Sequence, residues 1–61
     1  MENKTSRNNN GIFEYTRQDT LQEFHCERCD SDKKSKIVVK WTDPQGVSKT
    51  ICNGCYGLLL S

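Results

Sequence analysis

The chain has 61 residues, nine Lys+Arg against eight Asp+Glu, four cysteines and 33% hydrophobic content, with a mean hydropathy of −0.84. These figures exclude a second domain and a scaffold large enough to enclose a ligand cleft of roughly 300–1,000 Å³. A domain this small buries only about 60% of its unfolded surface, and ordering its backbone costs about 1–2 kcal/mol per residue, so a metal or covalent staple is expected.

The chain opens on MENKTSRNNN, whose single apolar residue is Met1. It has no apolar core of the kind a secretory signal requires, which points to an intracellular protein, nuclear in a eukaryote. The longest apolar cluster, Leu58 to Leu60, is far short of a membrane span. Residues 1–10 read as a disordered tail, too polar to offset their ordering entropy. Between Gly11 and Glu23 the apolar residues Ile12, Phe13, Tyr15 and Leu21 follow no single helical or strand period. Residues 1–23 are therefore expected to be a disordered or loosely packed segment, and residues 24–61 the folded domain. A sharper alternative is a short helix capped by Asp19 that lays Leu21 and Phe24 on the domain.

From Phe24 onward the cysteines form two pairs, Cys26-Glu-Arg-Cys29 and Cys52-Asn-Gly-Cys55, separated by 22 residues. A two-residue spacer lets a tight turn aim both thiolates of a pair at one point, and two such pairs complete the tetrahedral shell of one Zn²⁺ ion. Four bound thiolates leave no open position for water, so such a site is structural. Rival readings are two redox pairs, disulfides in a secreted domain, and iron in the same shell. His25 is expected beside the site or at the surface, because its side chain would have to reverse direction to ligate the same ion.

Between the pairs, Ile37-Val-Val-Lys-Trp-Thr42 is β-branched and aromatic, Asp43-Pro-Gln-Gly46 is a turn sequence, and Val47 to Ile51 returns as a second strand. Ile37, Val39 and Trp41 share the inward face of the first strand. Ser31 to Ser35 reads as a charged loop leading into the hairpin. After Cys52, Asn53 is placed as the cap of a short helix that carries Cys55 in its first turn. Gly57 weakens that helix by about 1 kcal/mol relative to Ala. Leu58, Leu59 and Leu60 cannot all face one core.

Together these elements make a small metal-stabilised α+β fold of zinc knuckle, β-hairpin and short C-terminal helix, the treble-clef plan. The stretch from Trp41 to Leu58 resembles the second half of a GATA-type zinc finger, with Cys26, Cys29, Cys52, Cys55, Trp41, Gly46 and Asn53 in corresponding places. The resemblance implies DNA binding through the helix and adjoining loops, with Asn53 at a base edge, where Asn suits adenine N6/N7. Thr42 and Asp43 stand where that family carries basic residues, Gly57 replaces its apolar base contact, and no basic tail follows the helix before Ser61.

Residues 24–61 hold six Lys+Arg and four Asp+Glu. A four-thiolate zinc centre adds a charge of about −2, which brings the domain close to neutral. Two functions therefore compete. One is a nucleic-acid-associated, transcription-type finger of weak intrinsic DNA affinity, using Asn53 with Lys33, Lys34, Lys36 and Lys40. The other is a protein-interaction module that presents Leu58, Leu59 and Leu60 to a partner. Neither involves a membrane or a small-molecule substrate, and no paired base and nucleophile suggests an enzyme.

Overall fold

The computed structural model describes residues 2–60. Four strands, β1 (Glu2–Asn8), β2 (Gly11–Cys26), β3 (Ser31–Thr42) and β4 (Ser48–Ile51), are followed by one helix, α1 (Asn53–Leu60). The strands form one antiparallel sheet in the order β1-β2-β3-β4. The hairpin expected over residues 37–51 is present as the C-terminal half of β3 and all of β4, with Trp41 opposite Lys49 and Val39 opposite Ile51. Its turn is held by Asp43. The Gly46 amide donates to the Asp43 carbonyl at 2.9 Å, and the Gln45 and Val47 amides donate to its carboxylate at 2.9 and 3.0 Å.

The N-terminal segment departs from the expectation of a disordered or loosely packed tail. Residues 2–8 and 11–26 are strands, the proposed boundary near Phe24 falls inside β2, and no helix starts at Asp19. The physical reason lies in Phe13 and Tyr15, which alternate with Glu14 and Thr16 and sit opposite Trp41 and Val39. That places two aromatic side chains on the face that needs covering. The polar β1 follows as the partner of β2, in register from Glu2 opposite Arg17 to Asn8 opposite Gly11. Its turn closes locally, because the Asn10 amide donates to the Asn8 side-chain oxygen at 2.8 Å. The stretch Ser31 to Ser35, expected as a loop, is the start of β3 and pairs with Gln22 to Cys26.

One face of the sheet carries the core. Phe13, Val39, Ile51 and Cys26 are fully buried and Cys55 nearly so. Phe13 lies parallel to Trp41 at 6.2 Å between centroids, while Tyr56 of α1 meets Phe13 edge-on at 5.8 Å. Trp41 Nε1 donates to the Asn10 carbonyl at 2.8 Å, which ties the β1–β2 turn to β3. The helix lies on this face through Tyr56 and Leu59, and its C-terminal end is met by the same turn. Asn8 and Asn10 side-chain amides donate to the Leu59 carbonyl at 2.9 and 2.7 Å, satisfying an acceptor that a helix end leaves open. At its start, the Tyr56 amide donates to the Cys52 carbonyl at 3.0 Å. Cys52 therefore holds the cap position expected for Asn53, which is instead the first helical residue.

Candidate metal centre

Two turns deliver the cysteines. The first follows β2, where Cys26 ends the strand and the Asp30 amide donates back to the Cys26 carbonyl at 2.8 Å. Asp30 closes this turn with φ of 56°, a conformation that Asp tolerates better than most residues. The second turn is the passage from β4 into α1, which gives Cys52 and Cys55. The knuckle reaches it because Glu27 lies along the outer edge of β4. The Glu27 amide donates to the Thr50 carbonyl at 2.9 Å, and the Thr50 amide donates to the Glu27 carboxylate at 2.8 Å.

The four sulfurs lie within 4.8 Å of one another. Cys55 Sγ is 3.7 Å from Cys26, 3.6 Å from Cys52 and 3.0 Å from Cys29, and Cys29 is 3.8 Å from Cys52. Four sulfurs at about 2.3 Å from a central tetrahedral ion stand about 3.8 Å apart, so the donor set suits one metal ion, for which the Cys29–Cys55 separation of 3.0 Å would have to open. All four are free thiols, and they gather at one point, which neither two separate redox pairs nor two local disulfides would require.

Each sulfur has its own surroundings. Cys26 Sγ accepts the backbone amides of Cys29 at 3.4 Å and Cys52 at 3.3 Å. Burial pushes the Cys26 thiol up, but these amides and the neighbouring thiols outweigh it and bring it down to about 6. Cys29, the exposed member, is pushed up to about 12, chiefly by its hydrogen bond with Cys55 and then by those with Cys26 and Cys52. Cys29 thus keeps a proton that a central cation would displace. His25 stays off the cluster, as expected. Its Nδ1 is 3.0 Å from Asp32 Oδ1 and its Nε2 is 3.2 Å from Asp30 Oδ1, and the contact with Asp32, then that with Asp30, raises it above its usual 6.5.

The residues expected to serve nucleic acid do not form an uninterrupted basic face. Lys40 stands opposite Glu14, Lys34 is paired with Glu23 at 3.6 Å, and Lys36 shares a surface hollow with Glu2, Arg17 and Asp19. Lys33 borders another hollow with His25 and Asp32. Asn53 is exposed at the start of α1 and its side chain makes no hydrogen bond among the described residues. Of the three leucines, Leu59 packs on the core, whereas Leu58 and Leu60 are 65% and 37% exposed. The hollows beside the β2–β3 hairpin reach about 540 and 480 Å³, within the range of ligand clefts. They are open to solvent, not enclosed.

Arg28 is the site residue that sequence reasoning passed over, counted there only as a charge. Its Nη1 donates to Cys55 Sγ at 3.7 Å. Its place inside the first Cys-x-x-Cys turn puts it near the cluster, but the sulfur it meets lies 27 positions away and no local pattern marks the contact. No protein-family model, curated protein or solved structure matches the chain. Among the described residues, no helix is long and apolar enough to cross a membrane.

Proposed function

We propose that this protein is a non-enzymatic recognition module whose fold is closed by one Zn²⁺ ion on Cys26, Cys29, Cys52 and Cys55, on the treble-clef plan implied by its GATA-type resemblance. The observation that carries the reading is the convergence of four sulfurs within 4.8 Å. A four-thiolate tetrahedral shell suits Zn²⁺ and leaves no place for a reactive water, so the ion supplies folding energy and no hydrolytic chemistry. Iron competes for the same shell on chemical grounds.

Recognition of a protein partner through α1 is the reading best supported. The helix carries no charged residue, and it presents Leu58 and Leu60 beside an inward Leu59. Proteins that bind duplex DNA neutralise phosphates with a basic face, and here each lysine of β3 is interleaved with acidic neighbours. One observation favours the second reading, DNA: Asn53 is exposed at the helix start and free of any capping duty.

Zinc-loaded wild type, Asn53→Ala and Leu58→Lys separate the two readings. The expected result is no sequence-selective complex with pooled duplex DNA at physiological salt, for any of the three. Leu58→Lys should lose protein capture while keeping wild-type zinc content and melting. A selective DNA complex that Asn53→Ala weakens by about 1–3 kcal/mol at equal stability would overturn the protein reading in favour of DNA.

A further inference from the structure

Arg28 lies between the two ligands of the first turn, yet its guanidinium leaves that turn and meets the sulfur of the other pair. Cys55 is the buried hub of the cluster, at 3.7, 3.0 and 3.6 Å from Cys26, Cys29 and Cys52. The backbone amides aimed at the cluster both go to Cys26. Among the described residues, no other cationic side chain donates to a cluster sulfur. Cys55 thus has one external donor, and that donor carries a permanent positive charge.

We infer that Arg28 belongs to the metal centre, as the positioning residue that orients Cys55 on the ion and offsets the negative charge of the four-thiolate shell. The inference rests on the zinc reading above. Four thiolates around a divalent ion leave a net charge of about −2, and the buried sulfurs Cys26 and Cys55 have little water to solvate it. Hydrogen bonds that involve a charged partner are about twice as strong as neutral ones, and groups that hold a metal ligand from outside the shell control its affinity. An exposed ion pair between two mobile side chains would contribute little. This contact differs because its acceptor is buried and fixed at the start of a helix. The same geometry withdraws Arg28 from the cations that could meet a phosphate, which is consistent with a protein partner.

The test uses the full chain with Zn²⁺ and Co²⁺ as the probes, in wild type, Arg28→Ala and Arg28→Lys. Zinc affinity is measured by competition with a chromophoric chelator, and the sulfur-to-cobalt charge-transfer bands are recorded on the cobalt-loaded proteins. Arg28→Ala should bind zinc about 10–100-fold more weakly, in line with other losses of groups that support a metal ligand. Its charge-transfer bands should move to longer wavelength, because a sulfur that loses a charged donor gives up its electrons more readily. Arg28→Lys, which keeps the charge without the planar fork, should fall between the two. A merely structural arginine would leave the bands in place, and unmoved bands or a zinc affinity indistinguishable from wild type would overturn the inference. If wild type itself took up no ion, or gave a cobalt spectrum without thiolate bands, the zinc reading would fall instead, an outcome visible before any variant is compared.

Discussion

Gly11 is where the β1–β2 turn, β3 and Trp41 come closest together. Its φ is +132°, and a Cβ at this position would overlap the Thr42 carbonyl oxygen and press on Trp41 Nε1 at 3.0 Å. Gly46, in the β3–β4 turn, also has a positive φ, +93°, but a Cβ there would meet open space. The two glycines therefore separate backbone strain from crowding. Gly46→Ala should cost about 1 kcal/mol, the penalty of a side chain in a left-handed conformation. Gly11→Ala should cost more, about 1–3 kcal/mol of strain together with part of the Phe13–Trp41 contact, because Trp41 must move to admit the methyl group. Thermal unfolding of the zinc-loaded variants measures both, and equal losses would refute the crowding argument. At this scale the sequence revealed what is local. The candidate ligands were legible because a metal site demands two close pairs, and Asp43-Pro-Gln-Gly46 because a turn demands particular residues at particular places. Gly11 beside Trp41, and Arg28 against Cys55, are pairings 30 and 27 positions apart, and nothing in the local pattern announces them.

The element that decides the fold is β2, and its irregularity explains why composition misread it. Arg17 stands opposite Ile37 and Gln22 opposite Ser35, so residues 18–21 bulge against Lys36 alone. That insertion reverses the inward phase. Phe13 and Tyr15 point inward before it, whereas Phe24 and Cys26 do so after it, and a single alternation cannot span the segment. The bulge also bends the hairpin. A straight strand of 16 residues would run about 53 Å. The whole protein extends only 30 × 24 × 20 Å, so β2 must turn sharply, and bulges are where strands bend. The bend returns Glu27 to the edge of β4 and so carries Cys26 and Cys29 to Cys52 and Cys55. Deleting residues 19–21 would leave Gln18 facing Lys36 in a regular ladder. The straightened hairpin should then bind zinc far more weakly although all four cysteines remain, by competition against a chelator. Undiminished affinity would show that the ion alone bends the hairpin. β1 was hidden for a different reason. It has no apolar residue to betray it and is held by its backbone pairing, by Ser6 sharing a hydrogen bond with Tyr56, and by Lys4 over the Tyr15 ring.

For the molecule as a whole, the question is how little holds it together. Among the described residues, two of the five that are buried, Cys26 and Cys55, are themselves members of the candidate metal site. The helix that covers Phe13 and Tyr15 has eight residues, two of them glycine, and each glycine costs about 1 kcal/mol relative to Ala. Isolated helices of this length are marginal in water, so α1 depends on Cys52 and Cys55 being anchored and on Tyr56 and Leu59 being packed. On the zinc reading, α1 without the ion keeps at its start only weak contacts such as the Cys52 amide on Cys26 Sγ. Once it leaves, the aromatic face of the sheet is bare on the side where Phe13, Tyr15 and Trp41 lie. The knuckle loses its hold as well, because no cation then joins its two cysteines to Cys52 and Cys55. Structural zinc sites in small peptides contribute about 10–16 kcal/mol at neutral pH, as much as the whole net stability of a typical domain. Chelation should therefore abolish the fold in one cooperative step, with the sheet lost along with the helix, and added Zn²⁺ should restore it. Far-UV circular dichroism and the dispersion of amide NMR signals, followed through chelation and zinc return, read this directly. A β1–β2–β3 sheet that kept dispersed amides after the metal was removed would mean that Phe13 and its neighbours suffice for the fold, and that the four cysteines serve something other than stability.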